Sequence, residues 1–146
     1  MHDMFRDAHA FNQLIGGWNL SNVNQIQNMF NGATAFNQPL DGWDVSTVYN
    51  MNGLFSSASA FNHDIGSWNT EKVTDMRYMF EYASAFNHNI SSWTGPAATT
   101  AQSGMFSGAN AFRAKYTCGF SGPASSCDTI ESTWVCRKSS RPTLSS

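Results

Sequence analysis

The chain has 146 residues, enough for one domain with a substantial core, and is 41% hydrophobic but only 12% charged. That is about half the usual share of charge for a globular protein, and the formal net charge is -2. No overall field points to nucleic acid or an anionic membrane, and no apolar run approaches the length that crosses a bilayer.

Residues 1–18 already sit inside a repeating pattern. Met4, Phe5, Ala8 and Phe11 have helical spacing, and Gly16-Gly17 marks a turn before Trp18. His2, Asp3, Arg6, Asp7 and His9 stand where a signal peptide would be apolar. Met4-Phe5 matches Met29-Phe30, so an N-terminal cap is missing and Met1 is expected to be an internal start or the edge of a larger protein. Residues 19–43 form the first complete unit. Leu20 is its strand residue, Ser21 or Asn22 its helix cap, and Val23, Ile26, Met29, Phe30 and Ala33 the inner face of a helix of about three turns. Pro39, Leu40 and Asp41-Gly42 then lead to Trp43. Residues 44–68 and 69–93 repeat the plan, with Val45 and Thr70 as strand residues. The stretch 94–112 degrades, gaining one residue and losing the tryptophan.

The period is 25 residues. It fixes Phe5, Phe30, Phe55 and Phe80, then Phe106 after 26, and a second series of Phe11, Phe36, Phe61, Phe86 and Phe112. Trp18, Trp43, Trp68 and Trp93 keep the same clock, as do two alanine series that include Ala33, Ala58 and Ala83. Such a period signals a stacked architecture. The expected fold is an α/β solenoid of strand–helix units of about 25 residues spanning 1–112. Aromatic columns formed by Phe30, Phe55, Phe80, Phe36, Phe61, Phe86 and the four tryptophans should fill its core. Residues 113–136 hold Cys118, Cys127 and Cys136 and are expected to cap the stack, while 137–146 have a disordered composition.

Chemistry is sparse in the sequence. Asn12, Asn37, Asn62 and Asn87 each follow a core phenylalanine and are read as turn residues. Carboxylates are too few beside them for a calcium array. His63 and His88 recur one period apart, where Gln13 and Gln38 stand earlier; they read as variants of an exposed polar position, with a zinc or proton-switch pair the alternative. Asp44, with Asn19 and Asn69, reads as a turn residue. The cysteine spacing fits neither a metal knuckle nor a redox pair, and no nucleophile–base set or nucleotide fingerprint occurs. No enzyme activity, cofactor or metal is expected. Asn19-Leu20-Ser21 and Asn89-Ile90-Ser91 are formal glycosylation sequons.

The unit resembles the BspA-type leucine-rich repeat surface proteins, the DUF285 or Mycoplasma-lipoprotein repeat family. The match rests on Met29-Phe30, Ala33, Phe36-Asn37, Leu40, Trp43-Asp44-Val45-Ser46, Val48 and Met51, and covers about residues 4–112. The resemblance implies a leucine-rich-repeat-like stack, an extracellular or cell-surface setting, adhesion or protein binding, and no catalytic residues. The function expected is a non-catalytic module that binds protein through its exposed face. The alternatives are a structural spacer within a longer array and a carbohydrate-binding surface. Tyr49, Tyr78 and Tyr82 are the candidate contacts, because amphipathic aromatics favour interfaces, and the outward His63 and His88 are candidate binding residues beside them.

Overall fold

The computed structural model describes residues 1–99, 102–117 and 135–136. Cys118, Cys127 and the tail from 137 lie outside the described residues. Successive 25-residue units lie on one another in register, yet their backbone is neither strand nor helix. Helices occur only at α1 (Pro96–Thr99) and α2 (Asn110–Lys115) among the described residues. Strands occur there only at β1 (Tyr116–Thr117) and β2 (Val135–Cys136), which pair antiparallel with Tyr116 opposite Cys136. Two isolated parallel bridges, Gln25 with Asn50 and Asn50 with Asp75, are the only other pairings described. The α/β solenoid of strand–helix units is therefore corrected: the units are built from consecutive tight turns.

Hydrogen bonding explains the difference. Ile26, Asn28, Phe30 and Gly32 donate their N–H groups to the carbonyls of Asn50, Asn52, Leu54 and Ser56 in the next unit, at 2.8–3.0 Å. Between them Met29, Asn31 and Ala33 donate to the carbonyl three residues back, at 3.0–3.3 Å. A helix needs every N–H to find the carbonyl four residues back, and this alternation forbids it. Backbone torsions forbid it too. Two positions in each unit are left-handed: Asp3, Asn28, Gly53, Tyr78 and Gly104 in one column, and Asp7, Gly32, Ser57, Tyr82 and Gly108 in the other. Their φ values run from 53° to 72°, which a right-handed helix of L-residues does not admit. The apolar spacing of Ile26, Met29, Phe30 and Ala33 mimics a helix because each three-residue turn also returns a side chain inward. The segment around each tryptophan is not a strand, since its donors close local turns: Trp43 N–H bonds the Leu40 carbonyl at 3.0 Å and Val48 N–H the Val45 carbonyl at 2.9 Å.

The core lies along the stack. Phe30, Phe55, Phe80 and Phe106 form a column with ring centroids 5.6–5.8 Å apart. Phe36, Phe61, Phe86 and Phe112 form a second at 5.8–6.1 Å. Within a unit the two rings stack more closely, at 4.0 Å for Phe55 with Phe61. Trp43, Trp68 and Trp93 make a third column at 6.3 Å. Their buried indole N–H groups donate to the carbonyls of Ile15, Leu40 and Ile65 in the preceding unit, at 2.9, 3.0 and 3.1 Å. Trp18, expected in the core, is instead 37% exposed and tilted 40° to Phe5. Phe5 and Phe11 beside it are only half-buried, each stacked on the next unit's ring, Phe30 and Phe36. Ala33, Ala58, Ala83 and Ala109 are fully buried, which lets the units approach.

The extra residue after Trp93 is absorbed locally. Gly95 takes a φ of 100°, where a Cβ would meet the Thr70 and Glu71 carbonyls. Met76 N–H, whose counterpart Met51 bonds the Asp75 backbone, instead donates to the buried Gln102 side-chain carbonyl at 2.8 Å. The helix α2 runs across residue 112, the expected end of the repeat region.

Candidate functional site

Most recurring polar residues are consumed by the stack itself. Asn12 Oδ1 accepts the N–H of Asn37 at 2.9 Å, and Asn37 Oδ1 accepts that of Asn62 at 3.0 Å. The asparagines thus clip one unit to the next. Asn87 Oδ1 is buried with no partner among the described residues; its successor, Arg113, donates its N–H to Ala109 within α2. A second column runs beside this one. Gln38 Nε2 donates to the Asn12 carbonyl at 3.2 Å, His63 Nε2 to Asn37 at 3.1 Å, His88 Nε2 to Asn62 at 3.0 Å, and Lys115 Nζ to Asn87 at 3.2 Å. A backbone carbonyl only accepts, so both imidazoles carry a proton on Nε2. His63 and His88 therefore do what glutamine does in the earlier unit. No group of three or more His, Cys, Asp or Glu side chains is placed to hold a metal among the described residues.

The acids near tryptophan close turns. Asp44 Oδ1 accepts the Ser46 N–H at 3.0 Å, as Asn19 does from Ser21 and Asn69 from Glu71. The Ser46 side chain, then its N–H, holds the Asp44 carboxyl below the ordinary range.

What remains outward is the arc of turns that carries the two left-handed columns. Tyr49, Tyr78 and Tyr82 are 39%, 41% and 58% exposed there. Tyr49 is tethered, because its hydroxyl accepts from Gln25 Nε2 in the preceding unit. Its counterpart in the next unit is Thr74, four residues before Tyr78. Tyr78 and Tyr82 share one unit and occupy both of its left-handed positions, at φ 59° and 54°. Asp, Asn, Ser and Gly fill those columns elsewhere, residues that adopt this conformation at less cost. Room for the rings comes from the following unit. A Cβ on Gly104 would lie 2.6 Å from Tyr78 Cδ1, and one on Gly108 would likewise collide with the Tyr82 ring. Asn28 over Gly53 and Asp7 over Gly32 follow the same rule of a large residue above a glycine.

Polar side chains of this unit and of the one before pair with one another. Arg77 makes a two-point contact with Asp75, Nε to Oδ1 at 3.0 Å and a terminal nitrogen to Oδ2 at 2.7 Å. This contact holds the Asp75 carboxyl below its usual range, against burial, which pushes it up. Asn52 Nδ2 lies 3.4 Å from both Asp75 oxygens, and the Ser56 hydroxyl the same distance from Glu81. The structure thus gathers Tyr78 and Tyr82 on one arc, adds Tyr49 one unit earlier, and leaves His63 and His88 on another segment. Gly104 and Gly108 escaped the sequence reading. The available signal was the recurrence of Asp, Asn, Gly and Ser at two fixed phases.

Among the described residues no helix is long and apolar enough to cross a membrane. The family model described as Mycoplasma protein of unknown function, DUF285, matches residues 1–118. No curated protein and no solved structure matches the chain.

Proposed function

The chain belongs to the DUF285 family, and from that premise we propose that it is a non-catalytic binding module which engages a protein partner through its turn arcs. The observation that carries this reading is the exposure of Tyr49, Tyr78 and Tyr82 on a backbone held by unit-to-unit hydrogen bonds. Tyrosine, serine, asparagine and glycine dominate that arc, the composition that binding loops use for rigid aromatic contact and adaptable hydrogen bonding. The histidine and asparagine columns support the same division of labour, because their polar atoms are occupied inside the stack.

The test uses substitutions that the repeat already contains. Tyr49→Thr copies Thr74, and Tyr82→Ser copies Ser57; Tyr78→Ser places serine in the other left-handed column. The purified chain is screened by surface plasmon resonance against a panel of purified cell-surface and extracellular-matrix proteins. The triple tyrosine variant should lose the binding that the parent shows, while His63→Gln with His88→Gln should retain it. Binding that survives the triple variant, or no binding to any panel member, refutes the reading.

A further inference from the structure

We infer that Asn31-Gly32 and Asn52-Gly53 are self-modifying sites, silent while the stack is closed and deamidated by water once a neighbouring unit lifts away. This stands apart from whatever partner the arcs take, because it needs only the chain and solvent. These are the two Asn-Gly pairs of the sequence. Asparagine is chemically labile, and most so before glycine, which has no Cβ to crowd the nitrogen that reacts. That nitrogen loses its proton and attacks Cγ of the asparagine. A C–N bond forms, and the side-chain nitrogen takes up a proton and leaves as ammonia. Water then opens the cyclic imide at either carbonyl. The product is aspartate, or isoaspartate with an extra carbon in its main chain.

The fold restrains both reacting groups. Gly32 and Gly53 are buried and left-handed, one in each column, at φ 72° and 59°. Each donates its N–H across the interface between units. Gly32 bonds the Ser56 carbonyl at 2.8 Å, and Gly53 the Arg77 carbonyl at 2.9 Å. The unit before covers each glycine from the other side, since Asp7 Oδ1 and Asn28 Oδ1 occupy the ground where a Cβ would project. The asparagine amides are held as well. Asn31 Nδ2 lies 3.4 Å from Asn28 Oδ1, and Asn52 Nδ2 the same distance from both Asp75 oxygens. A glycine nitrogen must shed its proton and turn toward the side chain before it attacks, so it must first leave the next unit's carbonyl. The two sites therefore answer to different units: Asn31 to residues 44–68, and Asn52 to residues 69–93. The product makes the opening permanent. Isoaspartate lengthens one unit against a period that its neighbours keep, and that unit no longer seats in register.

The full chain is incubated at neutral pH, folded or in concentrated urea. Mass spectrometry of chymotryptic peptides follows each pair, and isoaspartyl methyltransferase labelling identifies the product. Both asparagines should convert in urea. In the folded chain they should convert at roughly a tenth of that rate or less, because only the open fraction reacts. Phe80 stacks on Phe55, Phe86 and Phe106, so Phe80→Leu loosens the unit of residues 69–93 and should speed conversion at Asn52 more than at Asn31. Equal rates folded and in urea, no conversion in either, or equal acceleration of the two sites overturns the proposal. Should that variant not fold, hydrogen exchange of the Gly32 and Gly53 amides in the parent takes its place. The faster-exchanging amide should then follow the faster-converting asparagine, and the reverse order overturns the proposal.

Discussion

Alanine at Gly104 would set a Cβ 2.6 and 2.7 Å from Cδ1 and Cε1 of Tyr78, on a backbone with φ of +64°. Two costs arise and can be separated. Left-handed backbone costs a Cβ-bearing residue about 1–2 kcal/mol whatever its neighbours. Displacing the ring adds an overpacking term of about 1–3 kcal/mol, here near the low end because the half-exposed ring can swing outward. Gly104→Ala should therefore destabilise by about 2–3 kcal/mol. With Tyr78→Ser already present the ring is gone, and only the backbone term of about 1–2 kcal/mol should remain. Serine is the right replacement because Ser57, at a left-handed position, is followed one unit on by Tyr82, which carries a Cβ. Urea unfolding followed by tryptophan fluorescence measures all four corners of this cycle, with Gly17→Ala as control, since a Cβ there meets nothing within 4 Å. A coupling of about 1 kcal/mol is expected, beyond the roughly 0.3–0.5 kcal/mol scatter of independent sites. Equal costs in both backgrounds would falsify the bracing of Tyr78 by Gly104.

Three further outcomes are expected. Phe55→Ala removes a fully buried ring stacked on Phe30, Phe61 and Phe80 and should cost about 3–5 kcal/mol in the same urea assay. A loss well under this would mean the column is not packed as described. Trp68→Phe keeps most of the ring but removes one of the two donors to the buried Leu40 carbonyl, Trp43 N–H remaining, and should cost about 0.5–1.5 kcal/mol for the lost bond. The acid limb of stability is the fourth outcome. The Asp75 carboxyl is lowered from about 3.8, so its contribution is fully present above that value and is lost as pH falls through the lower folded value. Asp75→Asn should lower the melting temperature above about pH 4, where the ionised carboxylate contributes, and flatten the profile below it as parent and variant converge; an unchanged acid limb sinks the assignment.

The core was legible in the sequence because periodic aromatic residues have few places to go. Phe55, Phe61 and Trp68 recur at one phase, and only stacking buries such rings together. The local backbone was not legible, for a specific reason. Apolar residues at Ile26, Met29, Phe30 and Ala33 satisfy a helix and a chain of tight turns equally well. The deciding information lay between them, in Asn28 and Gly32, which belong to the two left-handed columns. The tyrosines were legible as outward residues but not as strained ones. Tyr78 and Tyr82 give no hint of positive φ in themselves, and only their column mates Asn28, Gly53 and Gly32 do. His63 and His88 show the opposite case. They read as variants of the polar position that Gln38 holds, and each ring donates to a carbonyl of the unit before it, as Gln38 does.

Forward bonds in the arcs reach a carbonyl 24 residues on, as Phe30 does with Leu54, and the indole N–H of Trp68 reaches back 28 residues to Leu40. No contact of this ladder therefore requires distant parts of the chain to meet, however many units there are. Closing each lap has the same entropic cost, about 3 kcal/mol plus a constant for a loop of this length. The stack can consequently assemble as a zipper. The first pair of laps is the hard step, because two uncovered units must meet. Each later lap arrives at a finished template of carbonyls and rings and repays an identical closure. Folding time should then depend on nucleating one pair, and lengthening the array should slow it little.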